Sequence, residues 1–328
     1  MKLLILGGTG WLGGHVAASA VAAGHEITCV ARHAPAPAGT TLVVADRDDD
    51  DDDALAPLGA QHWDAVVDVA THPGHVRRAV RDLASTADHY VYVSSVSAYA
   101  SHGRIGADET EPVVEPLAAD VMASLEDYGA AKAACEQAVL SAFGEDRSTI
   151  VRPGLIGGPG DRTGRTTYWP RRFAHPSGAS GAVLVPDAPD LPTSVIDVRD
   201  LAAWLVHLAS GVPGVFNAVG EPVPFADHLA AARAVAGGGE SVLAPSQWLL
   251  DQGVAPWAGP RSLPLWLPDP EWSGMNSRSN ARARAAGLVL RPLADTLADG
   301  AVAATATVLG AGLTDDEERE LLAALDGR

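Results

Sequence analysis

The chain has 328 residues, a formal net charge of −18 and an apolar fraction of 47%. That much apolar material feeds a sizeable core, which excludes fibrous and disordered classes; the length suits two units, or one doubly wound unit with a smaller appendage. The negative charge repels polyanions, so nucleic acid is not an expected partner, although a local basic pocket can still hold a small phosphate.

The chain opens on KLLIL, a short apolar run that breaks at once into glycines. It is too short for a signal-peptide core, and no later apolar run reaches membrane-spanning length. The two cysteines, Cys29 and Cys135, share no Cys-x-x-Cys spacing and imply no disulfide framework. The expectation is a reduced, cytoplasmic protein without a membrane partner or a metal site.

In GGTGWLGG the glycines Gly7, Gly8, Gly10 and Gly13 lie between that first strand and an alanine-rich helix beginning near Trp11. A strand–glycine turn–helix of this kind lets the backbone approach a pyrophosphate and sets the phosphates on the positive end of the helix. Gly7, Gly10, Trp11, Leu12 and Gly13 are therefore expected to meet a dinucleotide. The second strand, EITCVAR, ends in Arg32 where a carboxylate would grip the ribose of NAD. A guanidinium suits a 2′-phosphate, so NADP(H) is favoured over NAD(H); the alternative is an arginine that simply faces solvent. TTLVVAD gives a third strand whose closing Asp46 either lies beside the adenine or caps the strand. The acidic run from Asp48 to Asp53 reads as a solvated loop.

WDAVVDVA forms a fourth strand, and PGHVRRAVRDLAST a helix with Pro73 in its first turn. His72, just before that helix, is a candidate substrate contact or a polar strand-end residue. HYVYVSS is a fifth strand ending at the carboxyl edge, where doubly wound sheets bind ligands. There Ser95 is chosen as a hydroxyl donor, with Ser94 as its rival and Ser97 as a further substrate contact. The helix that follows contains Tyr128 and, four residues on, Lys132. The whole chain has 5 tyrosines and only two lysines, so this pairing is rarely met by chance. Residues four apart share a helix face, and a compact ammonium beside a phenol favours the phenolate while also reaching nicotinamide ribose hydroxyls.

STIVRPG is a sixth strand. SVIDVRDLAAWLVHLAS is expected to return a strand and helix to the sheet, with GVFNAVG as one more strand. Continuous Val/Ile/Leu runs between amphipathic helices predict a parallel sheet covered on both faces, a doubly wound α/β fold. The segment GDRTGRTTYWPRRF offers Arg165 and Trp169 near the expected substrate mouth. Trp248, Trp257, Trp266 and Trp272 crowd one later stretch, either as lobe core or as an apolar substrate wall. The terminal DDEERELLAALDGR reads as a short amphipathic acidic helix.

Taken in order, GGTGWLG, SSVSAY, YGAAK, VRPGLIGGPGD and VIDVRDLA resemble the extended short-chain dehydrogenase/reductase family, in its NAD-dependent epimerase/dehydratase group. The resemblance covers roughly residues 1 to 220. It implies a Rossmann domain over 1–155 and 193–220 and a smaller substrate lobe over 156–192 and 221–328. It also implies a Ser95–Tyr128–Lys132 triad, with cofactor contacts at the glycine turn, Asp46, Ala70, Lys132 and Pro153. Family members often dimerise through the tyrosine-bearing helix, so a homodimer is a further expectation. Family 4,6-dehydratases carry Asp-Glu after the hydroxyl residue; Val96 and Ser97 stand there instead, which argues against removal of water. The reaction expected is interconversion of a ketone and a secondary alcohol of a small molecule. The alternatives are a nucleotide-sugar epimerase that retains NAD, and a non-catalytic dinucleotide-sensing or RNA-binding relative.

Overall fold

The computed structural model describes residues 1–32, 35–48, 54–178, 181–303 and 310–327. Within them the apolar runs become strands β1 (Lys2–Leu6), β2 (Glu26–Ala31), β3 (Thr41–Val44), β4 (Trp63–Asp68), β5 (Ala87–Val93) and β6 (Ser148–Pro153). With Gly214–Ala218 they form one sheet, ordered Gly214–Ala218, β6, β5, β4, β1, β2, β3. Every pairing in it is parallel. Leu3, Leu4, Ile5 and Leu6 are fully buried, as are Ala65, Val66 and Val67. Such unbroken burial requires cover on both faces.

The cover comes from helices of opposite placement. On one face, α1 (Trp11–Ala22) contributes Val16, Ala17 and Ala20 to a core shared with Leu201, Ala202 and Leu205. On the other face, α2 (Pro73–Leu83) and α3 (Tyr128–Phe143) pack together, bringing Val76, Val80, Val139 and Phe143 onto β4 and β5. No helix among the described residues is long and apolar enough to cross a membrane.

After β6 the chain departs from the expected order. A short strand, β7 (Leu155–Gly157), pairs in parallel with Val195–Asp197, so the strand expected to re-enter the sheet forms a separate two-stranded ribbon. The reason is local. The sheet edge beside β6 is taken by Gly214–Ala218, while the Asp197 carboxylate turns away to accept the Arg199 N–H at 2.8 Å. Helix α4 (Tyr168–Ala174) precedes that ribbon strand, and helix α5 (Val198–Leu208), which Asp197 caps, does return to the sheet face. A separate apolar cluster gathers Trp169, Phe173, Phe225, Leu249, Trp266 and Leu321 from the later segments. Beside it, β8 (Ala182–Asp187) pairs with Glu240–Pro245. The terminal helix spans Asp315–Asp326 behind a Thr314–Glu317 capping box. Its Glu318 is buried and accepts the Leu184 N–H at 3.0 Å.

Candidate active site

From β1 the chain proceeds to β2 and β3 on one side; β4 lies on the other. At the carboxyl ends of β1 and β4, where these directions part, a crevice of about 450 Å³ opens between Gly7, Gly10, Arg32, Asp46, Ala70 and His72. Ligands bind doubly wound sheets at such a reversal. Position 13 has room only for glycine: a Cβ there would stand 2.1 Å from the Gly7 carbonyl oxygen. That close approach aims the start of α1 at the crevice. Its N-cap, Gly10, makes no side-chain cap, and the first turn carries no acid. The first-turn N–H groups of Trp11, Leu12 and Gly13 are thus left for an anion. A dinucleotide pyrophosphate fits this donor set. The side chains of Trp11 and Leu12 are engaged elsewhere. The Trp11 indole donates to the Pro159 carbonyl at 2.8 Å, and Leu12 packs on the α1–α5 core.

At the other end of the crevice, the Asp46 carboxylate accepts the Asp48 N–H at 2.9 Å. Arg32 is exposed and pairs with Asp48 at 2.7 Å, while the second Asp48 oxygen meets His75 Nε2 at 2.7 Å. Although burial works the other way, His75 and Arg32 hold the Asp48 carboxyl below its ordinary value. Residues 49–53 of the acidic run lie outside the described residues.

The candidate catalytic side chains lie in the turn after β5 and on α3. Ser124 and Asp127 form a capping box ahead of α3, which fixes Tyr128 as its first residue and Lys132 one turn later. Gly129 fits only because it lacks a side chain; a Cβ would lie 2.3 Å from the Ser97 carbonyl oxygen. The helix start therefore presses against the 95–97 turn, which brings Tyr128 beside it. Ser95 Oγ accepts the Ser97 N–H at 3.1 Å, which leaves its own hydrogen for a substrate oxygen. Its rival Ser94 is committed: its hydroxyl donates to Glu136, which also forms a buried pair with Arg152 at 2.6 Å. Lys132 is buried and donates to the carbonyls of Ala70 and Val93, each at 2.8 Å. Its ammonium stands 5.9 Å from the Tyr128 ring centroid.

These contacts rest on a buried polar floor. Asp68 accepts from the Tyr90 hydroxyl at 2.8 Å and the Ala70 N–H at 2.9 Å, and Arg47 approaches it at 3.3 Å. Ala70 in turn accepts from Lys132 and from the Tyr92 hydroxyl. Arg47 and Asp68 thus fix the strand end that holds the lysine. None of Arg47, Asp68, Gly129, Glu136 or Arg152 was foreseen in these roles. The available signal was a charged residue inside an apolar run, as in AVVDVA, TIVRPG and the alanine-rich start of α3.

The remaining predicted residues divide. Ala70 lines the crevice, and Pro153 ends β6 buried, beside Ala218. His72 lies on the dinucleotide side, where its Nδ1 accepts the Met122 N–H at 3.4 Å and its ring meets His75 edge-on. It is the N-cap residue of α2, makes no side-chain cap there and lines the crevice wall. The substrate contact expected of Trp169 is corrected: it is fully buried and donates to the Pro264 carbonyl at 2.9 Å, so it belongs to the core. Trp248 and Trp266 are core as well. Ser97 does line a second cavity, of about 430 Å³, with Tyr99, His102, Tyr128 and Trp272. Burial, with the Arg278 guanidinium beside it, pushes the His102 imidazole down to about 4. Arg165 stacks over Trp257 at 5.1 Å. Burial lowers its pKa, opposed by Asp161 and the Tyr128 phenol nearby.

The profile of the NAD dependent epimerase/dehydratase family matches residues 3–218. A 2-alkyl-3-oxoalkanoate reductase of Stenotrophomonas maltophilia (strain K279a) is 31% identical over 248 residues, covering 68% of this chain and 72% of that protein. Among solved structures, the UDP-N-acetylglucosamine 4-epimerase of Bacillus cereus superposes with a TM-score of 0.67 at 15% identity, covering 92% of this chain and 96% of its own. The UDP-glucuronic acid 4-epimerase of Bacillus cereus, in complex with NAD, gives 0.64 at 14% identity, covering 92% and 98%.

Proposed function

The chain belongs to the NAD-dependent epimerase/dehydratase family and is an enzyme of its oxidoreductase type; from that premise we propose that it interconverts a ketone and a secondary alcohol with NADP(H). The observation that carries this reading is that the Lys132 ammonium is held by the Ala70 and Val93 carbonyls beside the crevice, one turn after Tyr128, whose helix start presses on the turn that Ser95 caps. When bound, the nicotinamide supplies the hydride that the carbonyl carbon accepts, or takes it back in the reverse direction. The Ser95 hydroxyl donates to the substrate oxygen and orients it. Tyr128 gives that oxygen a proton as the C–O double bond becomes single, and solvent replaces the proton. Two of the three Lys132 N–H bonds are spent on backbone; the third remains for a ribose hydroxyl, and its charge steadies the anion left on the phenol oxygen.

Arg32 supports NADP(H) over NAD(H). Its guanidinium is exposed at the adenosine end, and its partner Asp48 is a surface carboxylate that a 2′-phosphate can replace. The curated relative's name, a reductase of a 3-oxo acid, supports a ketone as the hydride acceptor. The two buried free thiols, Cys29 and Cys135, accord with a reducing, cytoplasmic setting. An epimerase that keeps NAD through its cycle is separated by one experiment. Pure protein is denatured and the supernatant assayed for nucleotide, then refreshed protein is titrated with NADPH and NADH by fluorescence. Little retained nucleotide and tighter NADPH binding are expected; stoichiometric released NAD would overturn the proposal.

A further inference from the structure

Trp272 borders two spaces at once. One is the cavity that holds Tyr128 and Ser97; the other is a groove of about 870 Å³ walled by Leu250, Pro256, Trp257, Leu267 and Met275. Leu250 and Trp272 are 40% and 42% exposed there, although both are large and apolar. The Trp272 ring is held flat against His102, with centroids 5.0 Å apart and planes 10° from parallel. Trp257 stands at φ +73°, a left-handed conformation that a bulky residue adopts only where its surroundings enforce it. Its indole carries the Arg165 guanidinium on its face. Among the described residues no carboxylate is paired with Arg165, in a chain where most other arginines of the site have one.

The polar members of the groove are Ser246, Gln247 and Asp269, with no lysine or arginine among them. A nucleoside diphosphate laid here would find an acid and no cation for its phosphates. Hydrocarbon, in contrast, gains from every wall. We propose that the groove receives the hydrocarbon chain of the substrate, whose carboxylate rests on Arg165 while its ketone lies at Ser95 and Tyr128. The substrate class is then a medium- or long-chain oxo acid. This rests on the ketone–alcohol reading above. The local cation also answers a physical difficulty, since an organic acid must approach a protein with a net charge of −18.

The test needs no turnover. Saturated alkanoates from butanoate to decanoate are titrated into the full-length protein by calorimetry. Affinity should rise about two- to fourfold per methylene, the upper figure being full burial. Trp272→Ala and Leu250→Glu should flatten that rise, each lowering decanoate affinity about tenfold or more and butanoate affinity far less. Arg165→Gln should weaken every acid by a similar factor and leave the slope. A flat series in the wild type, or a slope that survives both groove substitutions, overturns the proposal. The same chain lengths offered as 3-oxo acids with NADPH separate the two claims. A slope in binding without turnover sinks the ketone reading and leaves the groove; turnover of ketones with a flat series sinks the groove alone.

Discussion

The two sides of the proposed reaction centre are built from different materials. The dinucleotide side is made of strand ends and one helix start: Gly7, Gly10 and Ala70 offer backbone, and Arg47, Asp68 and Tyr90 lock that backbone from below. The substrate side is made of large side chains drawn from distant segments, with Arg165, Trp257 and Trp272 meeting around Tyr128 and its cavity. On the proposed reading the first side meets the dinucleotide through backbone fixed by buried hydrogen bonds, and the second meets the substrate through side chains from outside the sheet.

The sharpest way to break that division is at Tyr128, which stands between the sides. Tyr128→Phe should lower kcat by about 10³-fold or more, while NADPH affinity, read by fluorescence titration, stays within about twofold. A large loss of cofactor binding would place the phenol in the dinucleotide machinery instead. Next comes the buried floor. Glu136→Gln leaves the Arg152 guanidinium in the interior without its carboxylate, so stability should fall by about 3–5 kcal/mol in urea unfolding. An effect under about 1 kcal/mol would mean that the floor is not rigid.

The apolar cluster behind the substrate side carries its own signature. His228 is 1% exposed, and burial pushes its imidazole down to about 4. The unfolded chain therefore binds a proton between about pH 6.5 and pH 4 that the folded chain refuses, and stability falls as pH drops through that window. His228→Leu should make the melting temperature less dependent on pH between those values; an unchanged slope would assign the acid sensitivity to His102 or to His89, whose imidazole is also pushed down to about 4 by burial, with Arg147 near it. The smallest expected effect is at the adenosine end. Arg32→Ala should weaken NADPH by about tenfold, roughly one charge-assisted contact, with NADH unaffected. Equal losses for both would remove the case for NADP(H).

The same division explains what could be read before the fold was seen. The succession of strands and helices, the glycine turn and the Tyr128–Lys132 pair depend on local periodicity and short spacing, which a sequence displays openly. What commits Ser94, the rival of Ser95, is visible only in three dimensions, because its partner Glu136 lies 42 residues away. Trp169 looked like its neighbour Arg165, yet it lies on α4 with its side chain in the core, while Arg165 stays half-buried in the turn before that helix. Trp257 and Trp272 sit beside Trp248 and Trp266 in one aromatic stretch, and nothing in that stretch says which pair is buried. The strand Val195–Asp197 has an apolar pattern fit for the main sheet; it loses that place because another strand holds the edge.

The central claim is that the crevice and the Tyr128 cavity meet at one reacting carbon. It is tested most directly by running the reaction with NADPH deuterated at the transferred position and locating the label by mass spectrometry and NMR. One deuterium on the carbinol carbon of the product for each NADPH consumed is the predicted result. Product formed without label at that carbon, or with no NADPH consumed, would contradict it.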